Sequence, residues 1–139
     1  MELSGKSNIN PLIWGPHFWQ VFHFTAFGYP ENPNEADKEV YKQFYINFLK
    51  ILPCNACVDS SQEILNVNDI NNAVISKQEL IKWTYNFHNK VNIKLGKKSP
   101  SFENFVSNFT SRGSNTILTL LVVFVVFILL VVFILRATH

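Results

Sequence analysis

Two cysteines, Cys54 and Cys57, are the only ones among 139 residues, and they stand three positions apart in Pro53-Cys54-Asn55-Ala56-Cys57. That spacing lets two sulfurs close into a disulfide and open again, as dithiol–disulfide exchange requires. At the start of a helix the first thiol would have a lowered pKa, because unpaired N–H groups and the helix dipole stabilise a thiolate. A bridge across so short a loop stabilises a fold only modestly, so chemistry explains the pair better than stability does. Two alternatives stay open. The pair could be half of a zinc site, with further ligands drawn from His17, His23, His88 and His139. None of these forms an H-x-x-x-H pair and no second C-x-x-C exists, so no metal is expected. It could also be a plain structural disulfide. A thioredoxin-like setting fails on context, because there the motif follows a strand, whereas here a helix-like segment ends at Leu52-Pro53.

Oxidation of thiols needs an electron acceptor, which no side chain supplies and which a flavin can be. Two segments have the residue types to hold one. Trp19 and His23 are four apart and share a helix face. His88 and Asn92 are four apart on another helix, with Tyr85 three residues before His88 on the same side. Aromatic faces stack on an adenine or another ring system, and His and Asn side chains bond ring edges and ribose hydroxyls. Lys94, Lys97 and Lys98 stand where a pyrophosphate would meet cations. Singly, a Trp or His on an apolar helix face is ordinary core. Two such faces flanking a C-x-x-C motif carry more weight.

The elements that must position these groups read as helices. Pro16 suits the first turn of a helix, where its missing N–H costs nothing. Phe18, Trp19, Phe22, His23, Ala26 and Phe27 then recur at helical spacing, until Gly28 and Pro30 stop the run. Val40, Phe44, Ile46, Phe48, Leu49 and Leu52 form the apolar part of a second helix ending near Pro53. A third starts at the cysteine pair and runs to about Leu65, and residues 66–72 look like a loop. Ser76-Lys77-Gln78-Glu79 is a capping-box pattern that opens the longest soluble helix, Lys77 to Leu95, with Gly96 placed as its C′ residue. Phe102, Phe105 and Phe109 mark a short last helix. No alternating strand pattern is visible, so the expected fold class is all-α, a four-helix bundle plus a short fifth helix.

Residues 117–135, ILTLLVVFVVFILLVVFIL, contain no charge and are long enough to cross a hydrocarbon layer about 30 Å thick. The expected organisation is therefore an N-terminal extension 1–11, a helical domain 12–110, a linker 111–116, a transmembrane helix 117–135 and a tail 136–139. Residues 1–10 are polar and lack the apolar core of a signal peptide. The formal net charge of +2 and the absence of clustered Lys/Arg give no footprint for nucleic acid.

Three motifs in order, Trp14-Gly15-Pro16-His17-Phe18-Trp19 followed by Phe22-His23, then Pro53-Cys54-Asn55-Ala56-Cys57, then His88-Asn89-Lys90-Val91-Asn92-Ile93-Lys94-Leu95-Gly96-Lys97, resemble those of the Erv/ALR sulfhydryl oxidases, over about Leu12 to Phe105. The resemblance implies a helical bundle that binds FAD non-covalently, usually as a homodimer. It implies that Gly15, Trp19 and His23 line the flavin from the first helix, and Tyr85, His88, Asn89, Asn92, Leu95 and Lys97 from the fourth, with Lys98 a weaker candidate just past the signature. Cys57 looks like the thiolate facing the isoalloxazine ring, and Cys54 like the partner that exchanges with the incoming thiol. The implied reaction forms disulfides in protein dithiols and passes the electrons through FAD to oxygen, giving hydrogen peroxide.

Many members carry a second, shuttle disulfide, which this sequence lacks. The short members encoded by large DNA viruses resemble it in this, and imply that a thioredoxin-like relay protein, or the substrate itself, reaches Cys54. The terminal hydrophobic helix has the layout of a tail anchor, which would leave the domain on the cytosolic side of a host or virion membrane. A membrane-anchored scaffold and a flavin-free disulfide carrier are the competing expectations. Asn108-Phe109-Thr110 is a glycosylation sequon, read as chance.

Overall fold

In a computed structural model of the chain, residues 9–110 and 114–137 are described. They form seven helices and no strand: α1 (Pro11–Phe27), α2 (Glu35–Lys50), α3 (Asn55–Asn66), α4 (Ile70–Ala73), α5 (Lys77–Lys94), α6 (Phe102–Thr110) and α7 (Ser114–Ala137). The residues fall into two compact units, divided after Phe102.

In the first unit α1, α2, α3 and α5 make the expected bundle, and α4 adds one turn against α5. Each start has a local cause. Asn10 accepts the N–H of Leu12 with Pro11 in the first turn of α1. Asn34 and Asp37 exchange a full capping box at α2, with Glu35 and Asp37 also placed where the helix dipole favours acids. Asp69 caps α4. At α5 the Ser76 hydroxyl accepts the Glu79 N–H.

Two expectations are corrected. The first helix starts at Pro11, five residues before Pro16, which therefore lies inside it. The Asn10 cap and the Ile13 N–H to Asn10 carbonyl bond of 3.0 Å decide the earlier start. Residues 66–72 are not all loop, since α4 begins at Ile70.

The core is aromatic. Phe22, Tyr45, Trp83 and Phe87 pack ring against ring, edge-on for Phe22–Tyr45 at 4.9 Å and Tyr45–Trp83 at 5.2 Å and stacked for Phe22–Trp83 at 5.7 Å. Leu49, Ile64, Ile70 and Leu80 are buried around them. Burial of these large rings supplies most of the driving force. The hydroxyls are satisfied: Tyr45 donates to the Phe22 carbonyl at 3.0 Å and Tyr29 to that of Val74 at 2.7 Å.

The end of α5 matters most for the site. The Gly96 N–H donates to the Ile93 carbonyl at 3.1 Å and the Lys97 N–H to that of Asn92 at 2.9 Å, the two bonds of a Schellman cap. The motif needs a left-handed C′ residue, and Gly96 has φ 65°. An added Cβ would meet nothing within 4 Å. Gly96→Ala is therefore expected to cost about 1 kcal/mol from backbone strain alone, read as a lower urea midpoint. A wild-type midpoint would count against this cap.

The second unit begins at Glu103. Within it Phe105 and Phe109, one turn apart on α6, meet at a tilt with centroids 5.1 Å apart. The described helix α7 is 24 residues long, about 36 Å at 1.5 Å rise. It includes the residues Leu118–Arg136, a stretch long and apolar enough to cross a membrane. It starts at Ser114, inside the stretch expected as linker, and 111–113 lie outside the described residues, as do 1–8 and 138–139.

Candidate active site

Cys54 and Cys57 are joined by a disulfide, with Cα atoms 5.2 Å apart. Cys54 is the N-cap residue of α3, in an extended conformation, and its sulfur accepts the Cys57 N–H at 3.2 Å. The pair therefore sits at the positive end of a helix, as its chemistry requires. The helix forms here because Pro53 cannot continue α2 and the Cys54 sulfur serves as the cap acceptor.

Of the two cysteines only Cys57 lines a cleft of about 520 Å³, within the roughly 300–1,000 Å³ usual for ligand sites. Gly15, Phe18 and Trp19 of α1 form one wall. His88, Val91 and Asn92 of α5 form another, continued by Leu95 and Lys97 beyond the helix end. Phe48 and Leu49 of α2, Leu52 just past it, and Ser60 and Ser61 of α3 add to the lining.

The rings of Trp19 and His88 lie parallel, with centroids 3.8 Å apart and 6° between planes. Behind them His23 is buried, and its Nε2 is 2.9 Å from His88 Nδ1, one nitrogen donating and the other accepting. Burial, with the neighbouring His88 adding to it, lowers the His23 pKa to about 3. Burial, and then the charge of Lys97, lowers that of His88 to about 4. Both imidazoles are thus neutral at pH 7.

This has a consequence for stability. The unfolded chain regains the ordinary histidine pKa of 6.5 and so binds more protons than the folded one below that pH. The stabilising contribution is complete above about pH 6.5 and is lost as pH falls toward the two folded values. Between pH 6.5 and 5 the pair is expected to cost roughly 2–3 kcal/mol, visible as an acid fall in melting temperature that His88→Phe reduces. A melting temperature flat over that range would contradict it.

The expected site residues divide as follows. Gly15, Trp19, His88, Asn92, Leu95, Lys97 and Cys57 share the cleft. His23 stands one layer behind, reaching the cleft through His88. Tyr85 turns its hydroxyl to the Pro100 carbonyl at 2.8 Å and packs edge-on against Phe102. Tyr85, Asn89, Lys98 and Cys54 are not among the lining residues. Lys94, named above as a further cation, bonds the Ser60 hydroxyl at 3.2 Å and pairs with Glu63. Sequence reasoning missed Phe48, Leu49 and Leu52, whose helical spacing is that of ordinary core. It also missed Ser60 and Ser61, which a signal could have found: they lie three and four residues after Cys57, on its helix face.

A flat aromatic pair, neutral ring nitrogens, an Asn amide, a Lys and a cysteine suit a flavin dinucleotide in type. Among the described residues no group of three or more His, Cys, Asp or Glu could hold a metal.

Comparisons with known proteins agree with that donor set. The profile of the Erv1 / Alr family matches residues 16–110. A protein of Acanthamoeba polyphaga mimivirus named "Probable FAD-linked sulfhydryl oxidase" is 40% identical over 91 residues, 65% of this chain and 64% of that one. The FAD-linked sulfhydryl oxidase of an African swine fever virus isolate (Tick/Malawi/Lil 20-1/1983) is 31% identical over 106 residues, 76% of this chain and 87% of its own. Among solved structures, the FAD binding domain of Erv1 from Saccharomyces cerevisiae superposes with a TM-score of 0.65 at 33% identity, over 72% of this chain and 92% of that one. The yeast Erv1 core gives 0.69 at 28% identity, over 81% and 92%. The chain spans 64% of the length of the mimivirus relative and 61% of one from Invertebrate iridescent virus 3.

Proposed function

The chain belongs to the Erv1 / Alr family, and on that premise we propose that it is an FAD-linked sulfhydryl oxidase, forming disulfides in protein dithiols through Cys54 and Cys57. The observation that carries the proposal is that one sulfur of a helix-capping disulfide opens into the cleft walled by Trp19 and His88.

The two cysteines divide the work by position. Cys54 is half-buried and outside the cleft lining, so an incoming thiolate meets it first. Attack on its sulfur breaks the Cys54–Cys57 bond, forms a mixed disulfide and releases Cys57 as a thiolate. Cys57 lies in the first turn of α3, where the helix dipole favours a negative charge. The second substrate thiol then displaces Cys54, leaving the substrate oxidised and the cysteine pair holding two electrons. An FAD held in the cleft would supply the two-electron chemistry that links this dithiol to oxygen, with hydrogen peroxide as the product. The Trp19 and His88 rings offer a flat face for stacking, and Asn92 offers donors and an acceptor. Lys97 brings a cation for the pyrophosphate, and His88 stays neutral beside it. His23 fixes the His88 ring in place, and the roles given to Gly15 and Leu95 are close packing against the ligand. Tyr85, Asn89 and Lys98 fit the periphery.

The reading extends to context. A thioredoxin-like relay protein or the substrate dithiol itself would engage Cys54, and a second copy of the chain would complete a homodimer. Helix α7 supports a membrane anchor with the domain on the cytosolic side of a host or virion membrane. The full chain purified in detergent should be yellow, with flavin absorbance near one FAD per chain, and should take up oxygen when given dithiothreitol. A colourless protein would sink the oxidase reading. Thiol exchange without oxygen uptake would point to a flavin-free carrier.

A further inference from the structure

The turn that carries the disulfide is tied to a segment outside the bundle. The Ile9 N–H donates to the Pro53 carbonyl at 3.0 Å. The Ile9 carbonyl in turn accepts the Trp14 indole Nε1–H at 2.9 Å. Ile9 is thus held at both its donor and its acceptor. Through it the chain ahead of α1 spans from the turn between α2 and α3 to the cleft wall, which Trp14 lines. Trp14 is itself packed: its ring meets Phe18 edge-on at 4.9 Å, and Phe18 tilts against Phe48 at 5.2 Å.

What Ile9 holds is the residue immediately before Cys54. Cys54 itself is tied to α3, its carbonyl accepting the N–H groups of Cys57 and Val58 at 3.1 and 3.0 Å; Pro53 lies just ahead of that helix. The Cys54 N–H closes only to the Leu52 carbonyl, at 2.9 Å, and Pro53 has no N–H to offer. A disulfide forms when two thiols are kept within bonding reach, and each restraint that keeps them there raises their effective concentration.

We propose that Ile9 and Trp14 are positioning residues for the Cys54–Cys57 pair: residues 9–10 act as a strap whose bond to the Pro53 carbonyl favours the closed disulfide over the open dithiol. The strap also joins the pair to the cleft, since the residue that anchors it lines the space beside Cys57. This deepens the oxidase reading and rests on it only for the pair's physiological use.

The test is the equilibrium of the pair with glutathione, in the full chain in detergent and without oxygen. Two glutathione thiols become one glutathione disulfide as the Cys54–Cys57 bond is reduced to two thiols, and alkylation followed by mass measurement counts each form. Ile9→Pro removes the N–H and is expected to shift the equilibrium two- to fivefold toward the dithiol. Ile9→Ala keeps the N–H and is expected to stay at the wild-type value. Trp14→Phe keeps a ring but loses the indole donor, and should move in the same direction as Ile9→Pro. Equal constants in all these proteins would overturn the proposal. So would an Ile9→Ala shift as large as that of Ile9→Pro, since the side chain would then be responsible. Failure of the oxidase reading would appear elsewhere, as wild-type protein without flavin or oxygen uptake, and would leave these counts unaffected.

Discussion

A Cys57→Ser chain is expected to lose thiol oxidation by about a thousandfold or more while keeping its FAD. Serine is nearly the same size, and Cys57 contributes one side chain to a lining drawn from all four main helices of the bundle. The cleft should therefore hold its ligand with little change. What disappears is the sulfur of the one cysteine that lines that space, and with it the route for the electron pair. Cys54→Ser should be equally inactive toward a dithiol for a different reason. It leaves Cys57 as a lone thiol in the cleft, which bound FAD should shield from iodoacetamide. Oxygen uptake, flavin absorbance and alkylation separate the two variants. Undiminished oxidation by Cys57→Ser would remove the pair from the mechanism, and loss of flavin from that variant would make the pair structural.

Phe87→Ala is expected to have the largest effect on stability, about 3–5 kcal/mol, against roughly 5–15 kcal/mol for a whole domain. Phe87 is fully buried on α5. Its ring tilts against Phe22 at 5.5 Å and Trp83 at 5.4 Å, so truncation leaves a cavity among rings that cannot easily move. The same side chain lines the cleft, so FAD retention should weaken with it. Phe87→Leu keeps much of the volume and should cost less than half as much. Urea unfolding of the three proteins measures this. A loss below about 1 kcal/mol for alanine would mean that α5 closes onto the gap.

What the sequence disclosed depended on how local each signal was. Helix α5 could be bounded from its own residues, because Ser76 and Gly96 punctuate it at both ends. The start of α1 could not, because Pro11 and Pro16 both suit a first turn and the outcome rests on the side chain of Asn10. A four-residue helix such as α4 has too short a pattern to show periodicity. Within the site, faces were legible where both residues lay on one helix, as with His88 and Asn92. The meeting of His23 with His88 joins residues 65 positions apart, and no spacing rule reaches that far. The same holds for Phe48 and Leu52, which look like core until the cleft beside them is seen. The Tyr85 hydroxyl bonds the Pro100 carbonyl, in a loop whose path no spacing rule describes. The contrast between Cys57, in the cleft lining, and Cys54, outside it, is likewise tertiary.

The contact between His23 and His88 holds a single hydrogen between two nitrogens, and each ring has only one to place when neutral. If His23 Nε2 carries it, the hydrogen of His88 must sit on its own far nitrogen, which then offers a donor. If His88 Nδ1 carries it, that far nitrogen becomes a lone pair instead. The two arrangements keep both rings neutral only if, as the bridging hydrogen crosses to His88, the far nitrogen of His88 gives up its own and His23 Nδ1 gains one; that exchange inverts what the imidazole can present to a guest, with no change in net charge.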